Sequence, residues 1–208
     1  MAIHKEIYLA RHGETTWNLQ HRFQGQIDRE SVLTTKGEEQ ARTLGEQVSH
    51  LHFDIIYTSK LKRAQDTALI VQKYLLKTPI KYWEDLNERH FGSLQGKTMY
   101  DVGIQNYATA GADLYALETG ILADAEKLKD LSKRIQRFKE YVLKSSDQRI
   151  LVIGHVSWNS YFINALFQEK TVFHPQKNGS FHYFKIDEPG KVLEHKLDTT
   201  WSEIPRSF

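Results

Sequence analysis

Short apolar runs alternate along this chain with longer stretches whose apolar residues recur every three or four positions. Lys5 to Ala10 carries the first run, Ile7-Tyr8-Leu9, which reads as a strand. A helical period begins near Thr34, with Thr35 and Glu38 at capping-box spacing and Ala41, Leu44, Val48 and Leu51 on one face. Phe53–Tyr57 reads as a second strand. Thr58-Ser59 stand where they can cap the next helix, whose apolar side is Leu61, Ala64, Ala68, Val71 and Leu75. Ile80–Trp83 is a weaker third strand. Residues 93–125 are poorly patterned and broken by Gly96, Gly103, Gly111 and Gly120, which predicts short helices and loops. From Glu126 to about Lys144 a helix is clear, with Leu128, Leu131, Ile135, Phe138 and Val142 in phase. Arg149–His155 is continuously apolar, as a central parallel strand should be. A helix with Tyr161, Phe162, Ala165 and Leu166 follows. Two strands, Phe181–Ile186 and Val192–Leu197, are then joined through Asp187-Glu188-Pro189-Gly190. This alternation predicts an α/β fold: a three-layer α/β/α sandwich with a mostly parallel central sheet and an antiparallel edge strand.

A length of 208 residues suits a single domain, 1–208, with residues about 93–125 as an insertion covering the substrate. No apolar run approaches the roughly 20 residues of a membrane helix, and the first residues lead into a strand without a signal-peptide pattern. Absence of cysteine excludes disulfides and thiolate metal sites and suits a cytoplasmic location. Lysine and arginine number 28 against 26 acidic residues and are scattered apart from Lys60–Arg63, so no nucleic-acid stripe is expected. A monomer or a homodimer fits these properties.

Chemistry gathers where strands end. In an open α/β sheet, ligands bind beyond the carboxyl ends of the strands. The first strand runs into Arg11-His12-Gly13, a fixed positive charge beside a nucleophile that titrates near neutral pH. The second leads to Arg63 in the first turns of a helix, the long apolar strand ends at His155, and Glu88 follows the third strand. Singly, each has a plain reading: a solvated arginine, a core histidine, a surface ion pair of Glu88 with Arg89. His50 and His52 have no third ligand at helpful spacing, so no metal site is expected.

Taken in order, longer motifs connect these positions. Arg11-His12-Gly13-Glu14-Thr15 is followed by Trp17-Asn18, and Arg22-Phe23-Gln24-Gly25 lies in the next loop. Leu33-Thr34 with Gly37 and Ala41 precede Thr58-Ser59-Lys60-Leu61-Lys62-Arg63-Ala64 with Thr67-Ala68. Then come Leu86 to Gly96, Gly154-His155 and Asn178-Gly179-Ser180. The ordered set resembles the phosphoglycerate mutase-like branch of the histidine phosphatase superfamily. That resemblance implies that His12 attacks phosphorus to form a phosphohistidine. Arg11, Arg63 and a protonated His155 would hold the non-bridging oxygens. Asn18 and backbone N–H groups near Gln24 and Gly25 would add neutral donors. Glu88 would serve as general acid, then as base for water. No metal or other cofactor is implied, and the partner would be a small phosphorylated metabolite.

Departures from the resemblance bear on the reaction. Phe91 stands where the mutases carry tyrosine, and Met99 where their lysine lies. From Thr98 to Glu126 there is no Lys or Arg, whereas the mutases present paired arginines there to a substrate carboxylate. Gly154 replaces a small hydroxyl residue, and Val156-Ser157 follow His155 in place of glycines. These departures favour a phosphatase acting on phosphomonoesters with a neutral or partly apolar body. The alternatives are a phosphoglycerate mutase primed by 2,3-bisphosphoglycerate and a non-catalytic module that binds phospho-ligands.

Overall fold

In the computed structural model, which describes residues 4–28, 30–103, 124–169 and 172–199, strand β1 (His4–Arg11) lies near the middle of one six-stranded sheet. On one side it pairs in parallel with β4 (Arg149–Gly154), which in turn pairs in parallel with β2 (Ile55–Thr58), and β2 with the edge strand β3 (Ile80–Tyr82). On the other side β5 (Phe181–Asp187) runs antiparallel to β1, and β6 (Val192–Thr199) closes that edge antiparallel to β5. The order is therefore β3-β2-β4-β1-β5-β6. The α/β fold and mostly parallel sheet are as the sequence predicts, with the antiparallel part formed by a two-strand hairpin.

Alternation along the strands builds two cores. Ile7 and Leu9 of β1 join Ile150 and Val152 of β4 and Phe184 of β5 on one face. There they pack on Leu131, Ile135 and Phe138 of α4 (Leu128–Lys144) and Trp158 and Phe162 of α5 (Val156–Phe167). Tyr8, Ala10, Leu151 and Ile153 point the other way, onto Leu44 and Val48 of α2 (Thr35–Val48) and Ala64, Ala68 and Val71 of α3 (Lys62–Gln72). All of these side chains are buried, and burying one Leu, Ile or Val side chain contributes about 1.5–3 kcal/mol. Period-2 strands between period-3.6 helices thus fix the layers. A single turn, α1 (Thr16–Leu19), lies between β1 and α2.

Two helix starts differ from expectation. The cap of α2 is Thr34, whose Oγ1 accepts from Gly37 N at 2.9 Å, one residue before the predicted Thr35. Neither Thr58 nor Ser59 caps α3. Its N-cap position is Leu61, and the Lys62 N–H donates to the carboxylate of Asp28, a residue of the loop after α1 (2.6 and 2.7 Å). Of the predicted insertion at about 93–125, residues 104–123 lie outside the described residues; what precedes them is two 3-10 turns, Gly92–Leu94 and Tyr100–Val102. Among the described residues no helix is long and apolar enough to cross a membrane.

Candidate active site

Parallel register carries the strand-end residues to one edge of the sheet. Arg11 pairs with Gly154 and Thr58 with Ile153, so β1, β2 and β4 end level. His12 follows β1 directly and its N–H donates to Gly154 O at 3.1 Å. Backbones must approach closely here. A Cβ on Gly13 would run into the Gly37 carbonyl, one on Gly37 into the Glu14 carbonyl, and one on Gly154 into Asn159 Oδ1. Gly154 therefore admits Asn159, whose Nδ2 reaches Ala10 O at 3.1 Å.

His12 is 3% exposed. Its Nδ1 sits 2.7 Å from Gly13 O. A carbonyl can only accept, so Nδ1 carries the proton and Nε2 keeps its lone pair. Burial, then the charges of Arg63 and Arg11, hold this imidazole well below its ordinary value of 6.5, against the opposing pull of the Gly13 bond. His12 is therefore neutral at pH 7. His155 is fully buried, with its ring centroid 5.1 Å from that of His12. Its Nε2 lies 2.7 Å from Ser59 Oγ, which also accepts from Leu61 N at 3.2 Å. Burial first, and then Arg63, His12 and Arg11, push His155 well below its ordinary value too. Burial, and after it the nearby guanidinium groups, thus disfavour the protonated His155 expected from the sequence. Ser59 Oγ and Nε2 of the neutral His155 share one hydrogen bond, in which the hydroxyl or the ring N–H donates according to the tautomer.

The two arginines are gripped from behind. Arg11 donates through Nη1 to Gln176 O (2.7 Å), and Arg63 through Nη2 to Gly25 O (2.7 Å). Arg63 is 1% exposed; burial pushes it down to about 10 while Glu88 and Asp28 hold it up, so it remains a cation at neutral pH. The Nε atoms of Arg11 and Arg63 and Nδ1 of His155 are buried with no hydrogen-bond partner among the described residues. Arg11 and Arg63 line one pocket with His12, and two guanidinium charges there suit an anion with several oxygens.

Glu88 is 5% exposed, so its reading as a surface ion pair with Arg89, itself 4% exposed, does not hold. Its Oε1 accepts from Arg89 N (2.8 Å) and Trp158 N (3.0 Å), and Oε2 from Ser157 N (3.2 Å). Two of these donors are the first-turn N–H groups of α5, where a helix favours an anion. Among the described residues, Oε2 thus has a single, longer partner.

Arg11, His12, Arg63 and Glu88 line one pocket together with Asn18, Gln24 and Gly25; His155 lies behind His12. Asn18 Oδ1 is used by Thr15 N (3.0 Å) and Asn178 Nδ2 (3.3 Å), so its amide NH2 is the end available to a ligand. Gly25 adopts φ +51° and packs against the side chain of Gln95. Among the described residues, Phe23, Phe91, Met99 and Val156 add apolar walls, and His21, Arg22 and Ser157 also line the pocket.

The sequence profile of branch 1 of the histidine phosphatase superfamily matches residues 7–199. The chain belongs to this superfamily. Within it, the chain is 48% identical over 90 residues to an uncharacterized phosphatase PhoE of Bacillus subtilis, a match covering 43% of this chain and 45% of the relative. It is 35% identical over 154 residues to a metal-independent phosphoserine phosphatase of Arabidopsis thaliana, covering 72% and 63%. It is also 30% identical over 204 residues to a 2,3-bisphosphoglycerate-dependent phosphoglycerate mutase of Gloeobacter violaceus, covering 95% and 89%. Bacillus stearothermophilus YhfR shares the fold with a TM-score of 0.80 at 26% identity over 96% of this chain and all of that one. The chain thus has both phosphatases and a mutase among its relatives, and it spans less than two thirds of the length of the two phosphatases.

Several supporting residues escape the sequence reading. Gln176 presents its carbonyl to Arg11 and its Nε2 to Leu9 O (2.8 Å), and Asn178 Nδ2 donates to His12 O (3.0 Å). Asn178 stands in a motif visible in the sequence; Gln176 has no such signal. Asp28 does two jobs, capping α3 and standing 3.8 Å from Arg63 Nη1. Trp158 belongs to the core, stacked on Phe162.

Proposed function

We propose that this chain is a metal-independent phosphomonoester phosphatase that works through a phosphohistidine on His12. The observation that carries this reading is the 2.7 Å contact from His12 Nδ1 to Gly13 O, which leaves Nε2 with its lone pair in a pocket that Arg11 and Arg63 also line. As the N–P bond forms, the bond from phosphorus to the leaving oxygen breaks, and Glu88 gives that oxygen a proton. Arg11, Arg63 and His155, in the tautomer with its proton on Nδ1, take the non-bridging oxygens, with Asn18 as a neutral donor. Glu88 then removes a proton from water as its oxygen attacks phosphorus and the N–P bond breaks. Phosphate leaves and His12 regains its lone pair. The side chains supply the positive charge that a metal would otherwise bring.

The substrate class follows from the rest of the pocket. Phe23, Phe91, Met99 and Val156 offer apolar contact to the leaving group. Arg22 is engaged by Gln20 Oε1 (2.7 Å) and Gly96 O (2.5 Å). A small phosphorylated metabolite with a neutral or partly apolar body suits these apolar walls better than a sugar acid. Among the described residues Arg22 is the one further guanidinium lining the pocket, and two of its N–H groups are already engaged. The 30% identity to the Gloeobacter mutase supports a second reading, mutase activity with a bisphosphoglycerate primer. One experiment separates the two. Purified protein is given p-nitrophenyl phosphate, and separately 3-phosphoglycerate with primer, each with a chelator and beside His12→Ala. The expected result is phosphate release that the chelator leaves unchanged and His12→Ala abolishes. Isomerisation without comparable hydrolysis would establish the mutase.

A further inference from the structure

The segment that carries Glu88 is held on its far side by a largely buried ion pair. Arg134 of α4 is 7% exposed and meets Glu126 through two bonds, Nε to Oε1 at 2.6 Å and Nη2 to Oε2 at 2.8 Å. Its Nη1 goes to the main chain, donating to Asp85 O (2.7 Å) and Asn87 O (2.5 Å). Asn87 is the residue before Glu88. Beyond Glu88, the Glu126 carboxylate accepts from His90 N (3.2 Å), the Glu126 carbonyl accepts from Arg89 Nε (3.1 Å), and Glu126 N donates to His90 O (2.9 Å). The backbone is thus fastened on both sides of Glu88, while the N–H groups of Ser157 and Trp158 hold the carboxylate itself.

A buried ion pair is by itself a weak source of stability, since desolvation offsets the attraction. What distinguishes this one is where the spare donors and acceptors go: to the peptide groups flanking a single carboxylate. Neither partner lines the pocket. We infer that Arg134 and Glu126 are positioning residues for proton transfer, acting through the backbone at Asn87 and His90 to set where the Glu88 carboxylate meets the leaving oxygen. This inference rests on the reading of Glu88 as the general acid.

Leaving groups of different basicity test it. p-Nitrophenolate departs without a proton, whereas an alkoxide needs one, so a misplaced acid harms alkyl phosphates selectively. The quantity to compare is kcat/KM, which covers the steps through formation of the phosphoenzyme. For Arg134→Met the expected loss is about 30-fold with an alkyl phosphate such as glycerol 2-phosphate and under about threefold with p-nitrophenyl phosphate. Arg134→Lys keeps the charge but cannot reach all partners, so it should recover part of the loss. Glu126→Gln should show the same selectivity to a smaller degree. If Arg134→Met does not fold, Arg134→Lys and Glu126→Gln decide by the same criterion. Equal losses on both substrates, or no loss in the folded variants, would overturn the inference. Glu88→Gln is run alongside. Selective loss in Glu88→Gln without it in the Arg134 variants would sink only the positioning role, whereas equal loss in Glu88→Gln would remove the acid role and this inference with it.

Discussion

His12 and His155 lie ring beside ring, with centroids 5.1 Å apart and planes inclined by 56°, yet each is fixed by a different neighbour. The Gly13 carbonyl sets the proton of His12, and the Ser59 hydroxyl anchors the ring of His155 through Nε2. This division of labour makes Ser59→Ala informative. Losing one neutral hydrogen bond costs about 1.4 kcal/mol, so kcat/KM for p-nitrophenyl phosphate should fall about tenfold. Steady-state kinetics beside a melting curve will show whether the loss exceeds any change in folding; undiminished kcat/KM would mean that His155 needs no anchor at Ser59.

Stability should fall in mild acid. An unfolded histidine titrates near 6.5, and His12 and His155 titrate well below that in the fold because burial and the two arginines disfavour their charged forms. Between the two values the unfolded chain holds more protons. The stabilisation is therefore complete above about pH 6.5 and is lost as the pH drops below it. Melting temperatures measured from pH 7.5 to 5 should decline, and His155→Gln should flatten the decline. Over the same range kcat/KM should not drop as it would for a nucleophile titrating at 6.5, because His12 stays neutral.

Gly37→Ala should be costly although Gly37 does not line the pocket. Its Cβ would meet the Glu14 carbonyl, and neither backbone can yield without shifting the loop that follows His12. An overpacked backbone contact costs about 3 kcal/mol, which for a chain of this size lowers the melting temperature by about 10 °C. Calorimetry checks this, and a change under 2 °C would contradict the close approach.

Asp28→Ala removes the acceptor for the Lys62 N–H at the start of α3. A lost helix cap costs about 1 kcal/mol, and Asp28→Asn should restore most of it. Chemical denaturation of the three proteins measures the difference.

Much of this organisation was legible in the sequence. Ile7 and Leu9 alternate with Tyr8 and Ala10, and that alternation assigns the two faces of β1 to two cores. Strand ends put His12 and His155 at one edge because parallel strands end level. Contacts set by the course of loops were not legible. Asp28 caps a helix that begins 34 residues later, and Ser59, which looks like a cap, turns to His155 instead. Arg134 sits among Leu131, Ile135 and Phe138 on the buried side of α4, where an arginine alone suggests a solvated face. The neutral state of His155 was equally hidden, since it depends on burial and on guanidinium groups brought from two other elements.

Trapping the covalent intermediate tests the central claim most directly. Enzyme mixed with a labelled phosphomonoester is quenched in alkali within milliseconds, digested and mapped by mass spectrometry. The expected result is one alkali-stable, acid-labile phosphoryl group on the peptide containing His12, absent from His12→Ala. Turnover with no phosphoenzyme, or with the label on another residue, would contradict His12 as the nucleophile.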